Sequence, residues 1–228
     1  MSRLRALEPD LELLAVDLPG RRSVPGDLAT LELSDCVESV LAQIEESGID
    51  ELVLVGHSLA GLIIPSVAAA LGVERCRRLV FLACAVPPEG GTLLDVLDGA
   101  LGRLAALASR PGAVPRAMPW ALAALLLCNG MTRSQRRFAV RHLCPEAPGL
   151  SRQPVRRAGL SRAIPRTWVL TARDRMLPIR SQAASIANLG GVDELIEVDG
   201  CHDLMISDPD RVALLLADTS RLRVGASR

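Results

Sequence analysis

The stretch Leu52-Val53-Leu54-Val55-Gly56-His57-Ser58-Leu59-Ala60-Gly61 passes from β-favouring apolar residues to helical spacing with almost no turn between them. A short apolar run ending at a small residue reads as a buried strand, and Leu59-Ala60-Gly61-Leu62-Ile63-Ile64 reads as a helix packed back against it. So abrupt a reversal needs small residues around it. Gly56, two before Ser58, and Ala60, two after, give that room, and the strained backbone between them would raise the serine Oγ above the end of a sheet. A serine at a helix start is also an ordinary N-cap. Capping makes no demand on both flanks, however, so Ser58 is read as a nucleophile.

Further strand signals lie at 12–16, 51–55, 78–83, 167–171 and 194–198, with helical patterns between them. The helix over 33–46 carries Val37, Val40, Leu41 and Ile44 on one face and stops at Gly48; the one over 59–71 stops at Gly72, with Pro65 expected to bend it. Apolar strands separated by helices predict an α/β fold with a mostly parallel sheet covered on both faces. From 87 to 161 no strand is predicted. Short helical pieces broken by Pro and Gly fill that span, which is read as a helical cap inserted into a single domain covering 1–228.

With 26 basic and 26 acidic residues the chain has no net charge, so the positive field that nucleic acid or an anionic membrane requires is lacking. The charged N-terminus holds no apolar run of signal-peptide length, and 120–128, the most apolar stretch, is too short to span a bilayer. A cytoplasmic protein is therefore expected, and 120–128 is read as a pocket-lining helix. The six cysteines show no CxxC spacing, which argues for reduced thiols and against zinc. All the basic residues are arginine, and there is no lysine or tyrosine. Schiff-base chemistry, a P-loop and a serine–lysine dyad are thereby excluded.

A serine nucleophile needs a base, and the chain offers His57, His142 and His202. His57 is expected to face away from its neighbour Ser58, and His142 to lie on the surface of a helix over 132–143. His202 follows the last strand in a short polar loop, from which an imidazole can hang over the sheet's C-terminal edge. The acid that orients it should leave the same edge from the preceding strand, where Asp174 follows Trp168-Val169-Leu170-Thr171-Ala172. Pairing with Arg173 or Arg175 is the alternative for Asp174. Cys201, beside His202, is read as a packing residue, because neighbours on an extended segment point opposite ways.

Taken with Val16-Asp17-Leu18-Pro19-Gly20, the segment Thr171-Ala172-Arg173-Asp174-Arg175-Met176-Leu177-Pro178, Asp199-Gly200-Cys201-His202-Asp203 and the cap stretch Cys128-Asn129-Gly130-Met131-Thr132, the nucleophile motif resembles the α/β-hydrolase superfamily, and within it the small esterase and hydroxynitrile-lyase-like branch. The resemblance implies the α/β-hydrolase fold and a triad in the chain order Ser58, Asp174, His202. It also implies an oxyanion donor at the backbone N–H of Leu59. Some relatives take the acid from the strand before the cap, here Glu89 or Asp95, but both lie far past Ala83. Asp17 matches a position that supports the fold. Asp203 stands where plant hydroxynitrile lyases carry a lysine, which disfavours cyanohydrin cleavage, and the absence of tyrosine excludes the epoxide-hydrolase route.

The resemblance further implies that the chain is shortened at its N-terminus. The strand preceding the helix at residues 1–7, and the His-Gly loop supplying a second oxyanion donor, are expected upstream of Met1 or lost, with an upstream start preferred because every later motif is intact. Loss of one such donor lowers turnover by roughly 10²- to 10³-fold. Met118, Trp120, Leu122, Leu125, Leu126, Leu127 and Met131 could wall an apolar pocket, while Arg133, Arg136, Arg137 and Arg141 share a face that solvent would take. The expected activity is hydrolysis of a small or medium apolar ester through an acyl-serine, with no metal or organic cofactor. A non-catalytic ligand binder and cofactor-free haloperoxidase or dioxygenase chemistry are the alternatives, and a homodimer is left open.

Overall fold

Alternation along the strands divides the core in two. The structure, a computed structural model, describes residues 1–22 and 24–221. In chain order it contains α1 (Ser2–Leu7), α2 (Leu33–Ser47), β1 (Leu52–His57), a 3₁₀ turn (Ser58–Leu62), α3 (Ile64–Arg75), β2 (Cys76–Leu82), α4 (Gly99–Ala108), α5 (Trp120–Leu126), α6 (Arg133–Arg141), β3 (Arg166–Thr171), α7 (Ile179–Asn188), β4 (Glu194–Val198), α8 (Leu204–Ser207) and α9 (Pro209–Arg221). The four strands pair in parallel in the order β1-β2-β3-β4.

Because successive side chains of a strand point to opposite faces, Leu79, Phe81, Trp168 and Leu170 enter the larger core with α2 and α3, while Val80, Leu82, Val169 and Val198 meet α8 and α9 on the other face. β3 is buried along its whole length, as expected of a parallel strand covered on both sides. Among the described residues no helix is long and apolar enough to cross a membrane. Between 87 and 161 lie α4, α5 and α6 with short turns, and an isolated antiparallel bridge joins Arg116 to Glu146.

The expected end of α2 holds: Gly48 adopts φ 71°, the left-handed region in which glycine carries no Cβ penalty. Three expectations need correction. Residues 12–16 are not a strand: among the described residues their backbone joins no ladder, Asp17 is gripped instead by the Gln43 side chain (N–H to Oε1 3.0 Å, Nε2–H to O 2.7 Å), and Val55 of the unpaired β1 edge remains 43% exposed. A strand is defined by its partner, and apolar β-propensity supplies none.

The helix after Ser58 is not one bent rod either. A 3₁₀ turn comes first, Pro65 then sits in the opening turn of α3, where its missing N–H breaks no bond, and Gly72 at φ 69° ends the helical geometry as expected. In the predicted pocket wall, Trp120 and Leu125 are exposed and only Ala123 and Leu126 of α5 are buried. A run apolar on every side cannot reveal which face turns inward.

Candidate active site

β1 ends at His57, and Ser58 turns the chain with φ 54°, a left-handed backbone that a non-glycine residue rarely adopts. Crowding explains the small neighbours. A Cβ on Gly56 would lie 2.6 Å from Ile64 Cδ1 and 3.1 Å from the Ala60 Cβ, and one on Gly61 would collide with the Ala85 carbonyl oxygen. The loop after β2 braces the turn: Ala85 N–H donates to the Ser58 carbonyl at 3.0 Å and the Cys84 thiol to the Gly56 carbonyl at 3.2 Å. Leu59 N–H opens the 3₁₀ turn, so like other helix-initial donors it has no partner within the helix.

The loops after β3 and β4 are laced together. Ala172 N–H donates to the Val198 carbonyl at 2.8 Å and Arg173 N–H to the Gly200 carbonyl at 2.9 Å, which brings Asp174 and His202 side by side at the sheet's C-terminal edge. His202 Nδ1 lies 2.7 Å from Asp174 Oδ2, and His202 Nε2 lies 2.8 Å from Ser58 Oγ. Since an ionised carboxylate only accepts, the proton sits on Nδ1, leaving the Nε2 lone pair to face the serine hydroxyl. Asp174 is held in turn: Oδ1 accepts from Met176 N–H and Leu177 N–H at 2.8 Å each, and Oδ2 also accepts from Thr171 Oγ1 at 3.0 Å. All three residues picked from the sequence thus form one hydrogen-bonded line. The alternative acids are engaged elsewhere, Glu89 with Arg157 and Asp95 in the cap of a short 3₁₀ turn at Thr92.

His142 is exposed on the end of α6, with Nδ1 2.8 Å from the Phe138 carbonyl, as expected. Cys201 is buried against Cys128, Met131 and Ala139, and burial pushes both thiols up, so neither offers a ready thiolate. His57 departs from expectation. It does not face away from the site: its Nε2 lies 3.0 Å from the His202 carbonyl oxygen and its ring centroid 4.8 Å from that of His202. Alternation of neighbours holds only along extended backbone, and the left-handed turn at Ser58 breaks it. The positive φ implied by the small flanking residues was the available signal.

Desolvation, reinforced by repulsion from His202, pushes His57 down to about 3, against the pull of its bond to the His202 backbone and of Asp174. Burial also raises the Asp203 carboxyl, whose Oδ1 lies 3.9 Å from His57 Nε2. Ligand atoms of His57, His202 and Asp203 fall within 4.8 Å of one another. Both nitrogens of His202 and Nε2 of His57 are already engaged in hydrogen bonds within the protein.

A histidine whose folded pKa lies below its unfolded value takes up its proton on unfolding, so its contribution is intact above pH 6.5 and is lost as pH falls toward 3. Urea titrations from pH 7 to 4 should therefore give a flatter stability curve for His57→Gln than for wild type, by at most about 1.4 kcal/mol per pH unit. That ceiling is the linkage of a single proton, and solvent screening of a side chain 28% exposed keeps the real difference below it. Asp203 acts with the opposite sign in both proteins. Parallel curves would contradict a neutral His57.

Two clefts, of about 140 and 190 Å³, lie off the reacting line, the larger behind the His202 loop beside Asn129, Arg173 and Cys201. Neither is walled by Ser58, Asp174 or His202, so the hydrogen-bonded line, not cleft volume, marks the site.

A strand-turn-helix serine with an imidazole and a carboxylate on later loops of the same sheet edge defines the hydrolase arrangement. The alpha/beta hydrolase family profile matches residues 1–214, and the chain belongs to that family. An extracellular alpha/beta-hydrolase from a Paenibacillus species, described as sharing structural and functional homology with tobacco salicylic acid binding protein 2, superposes with a TM-score of 0.84 at 19% identity over 95% of this chain and 90% of that one. Polyneuridine aldehyde esterase superposes with a TM-score of 0.72 at 17% identity, over 96% and 92%. The carbendazim-hydrolysing esterase of Nocardioides sp. (strain SG-4G) is 37% identical over 81 residues, 36% of this chain and 32% of that protein, so the match spans about a third of the curated relative's length.

Proposed function

We propose that this protein is a serine hydrolase acting on a small or medium apolar carboxylic ester, with Ser58 as nucleophile, His202 as general base and acid, and Asp174 as the orienting carboxylate. The carrying observation is the continuous line from Ser58 Oγ through His202 to Asp174, with steps of 2.8 and 2.7 Å. Ser58 Oγ attacks the ester carbonyl as its proton passes to His202 Nε2, and the tetrahedral oxyanion lies toward Leu59 N–H. Collapse expels the alcohol, which takes the proton back from His202. Water then gives a proton to the same nitrogen and attacks the acyl carbon, releasing the acid and free Ser58. The Asp174 carboxylate, hydrogen-bonded to Nδ1, stabilises the transient imidazolium. Family membership and the esterases among its relatives support this reading.

A fluorophosphonate probe tests it directly. Wild-type protein should be modified at Ser58, seen as the probe's mass on the peptide containing that residue, and Ser58→Ala should stay unmodified. A folded wild-type sample that resists the probe would point to the non-catalytic binder instead.

A further inference from the structure

We infer that His57 is a positioning residue for the reacting histidine: by donating Nε2–H to the His202 carbonyl, it fixes the backbone from which that imidazole reaches Ser58. The inference rests on the acyl-serine reading of the site, and it adds a member that the triad does not include.

A carbonyl oxygen only accepts, so the 3.0 Å contact puts the proton of His57 on Nε2 and makes the ring a donor. His57 ends β1, where it pairs with Leu82 of β2, whereas His202 lies in the loop between β4 and the four-residue α8. The bond therefore ties a loop residue to a rigid strand. It also joins the nucleophile's own segment to the base's segment, so Ser58 and His202 keep their 2.8 Å spacing through neighbours held by one bond. Its tilted ring lies 4.8 Å from that of His202 and limits how far the imidazole can swing.

The charge state fits this task. When His202 becomes an imidazolium during acylation, a second cation 4.8 Å away would oppose it; desolvation keeps His57 neutral. The Asp203 carboxylate stands 3.9 Å from His57 Nε2, beyond a direct hydrogen bond. The carbonyl, not the carboxylate, is thus the partner that His57 serves.

Methionine and glutamine are similar in size, but only glutamine can donate to the carbonyl. With the fluorophosphonate probe, His57→Met should lose roughly 10- to 100-fold in the maximal inactivation rate, with the probe's half-saturating concentration unchanged, because sub-ångström misplacement affects the reacting geometry more than binding. His57→Gln should recover to within about 3-fold of wild type. Equal rates for Met and wild type would overturn the inference, as would equally slow Met and Gln variants, which would assign the position to space filling.

A second readout needs no substrate. The downfield proton of the His202 Nδ1–H to Asp174 bond should be sharp in wild type and His57→Gln and broadened by exchange in His57→Met. A sharp signal in the Met variant would overturn the positioning role even if the probe never labelled the wild type, which separates failure of this inference from failure of the hydrolase reading.

Discussion

Replacing His202 with alanine is expected to lower kcat/KM on a p-nitrophenyl ester by about 10⁴- to 10⁶-fold, with the fold and melting temperature kept within a few degrees. Without the imidazole, the serine hydroxyl has no acceptor at 2.8 Å, and the developing charge on Oγ must be created with its proton still attached. Asp174→Asn should cost about 10⁴-fold by a different route. An asparagine carbonyl can still accept from Met176 N–H and Leu177 N–H, so the loop stays in place. Its amide, however, would donate to Nδ1 and force the His202 proton onto Nε2, the nitrogen that must accept from Ser58. If the three residues act as the proposed unit, combining Ser58→Ala with His202→Ala should lose little beyond either alone. Retention of more than a tenth of wild-type activity in His202→Ala would remove that histidine from the mechanism.

Trp168→Ala should destabilise the protein by about 3–5 kcal/mol in urea unfolding, enough to lower Tm by roughly 6–20 °C for a chain of this size. The indole is fully buried in β3, at the centre of the larger core, and stacks on Phe81 of β2 with ring centroids 5.4 Å apart. Its Nε1–H donates to Gln182 Oε1 at 3.3 Å, and that buried amide also donates to the Thr171 carbonyl at 3.1 Å and the Leu177 carbonyl at 2.8 Å. Removing the indole therefore leaves a large void and strips a partner from the amide that ties β3 to the loop holding Asp174. Trp168→Phe keeps most of the stacking volume and should cost less than half as much. A loss below about 1 kcal/mol for the alanine variant would mean that the site had collapsed around the void.

Gln182 also marks a limit of what could be read from the chain. Within Ile179–Asn188 it looks like an ordinary polar residue on an amphipathic helix, yet it is fully buried and organises the acid loop. Periodicity reports which face is apolar; it cannot report a polar group whose three partners lie on a strand and a loop. Residues 12–16 show the converse error, a segment with strand composition and no ladder. The serine, acid and histidine were accessible because each is announced locally: a small-residue turn after one strand, and polar residues directly following two others.

The sequence alone determined the four paired strands from β1 onward, the glycine stops at Gly48 and Gly72, and the turn and loop positions of Ser58, Asp174 and His202, since these depend on local conformational preference and chain order. Tertiary structure decided which face of α5 turns inward, that Gln182 is buried, and that His57 meets the His202 backbone across 145 residues of sequence. Such contacts form between segments brought together only when the parallel sheet assembles, so no local preference encodes them.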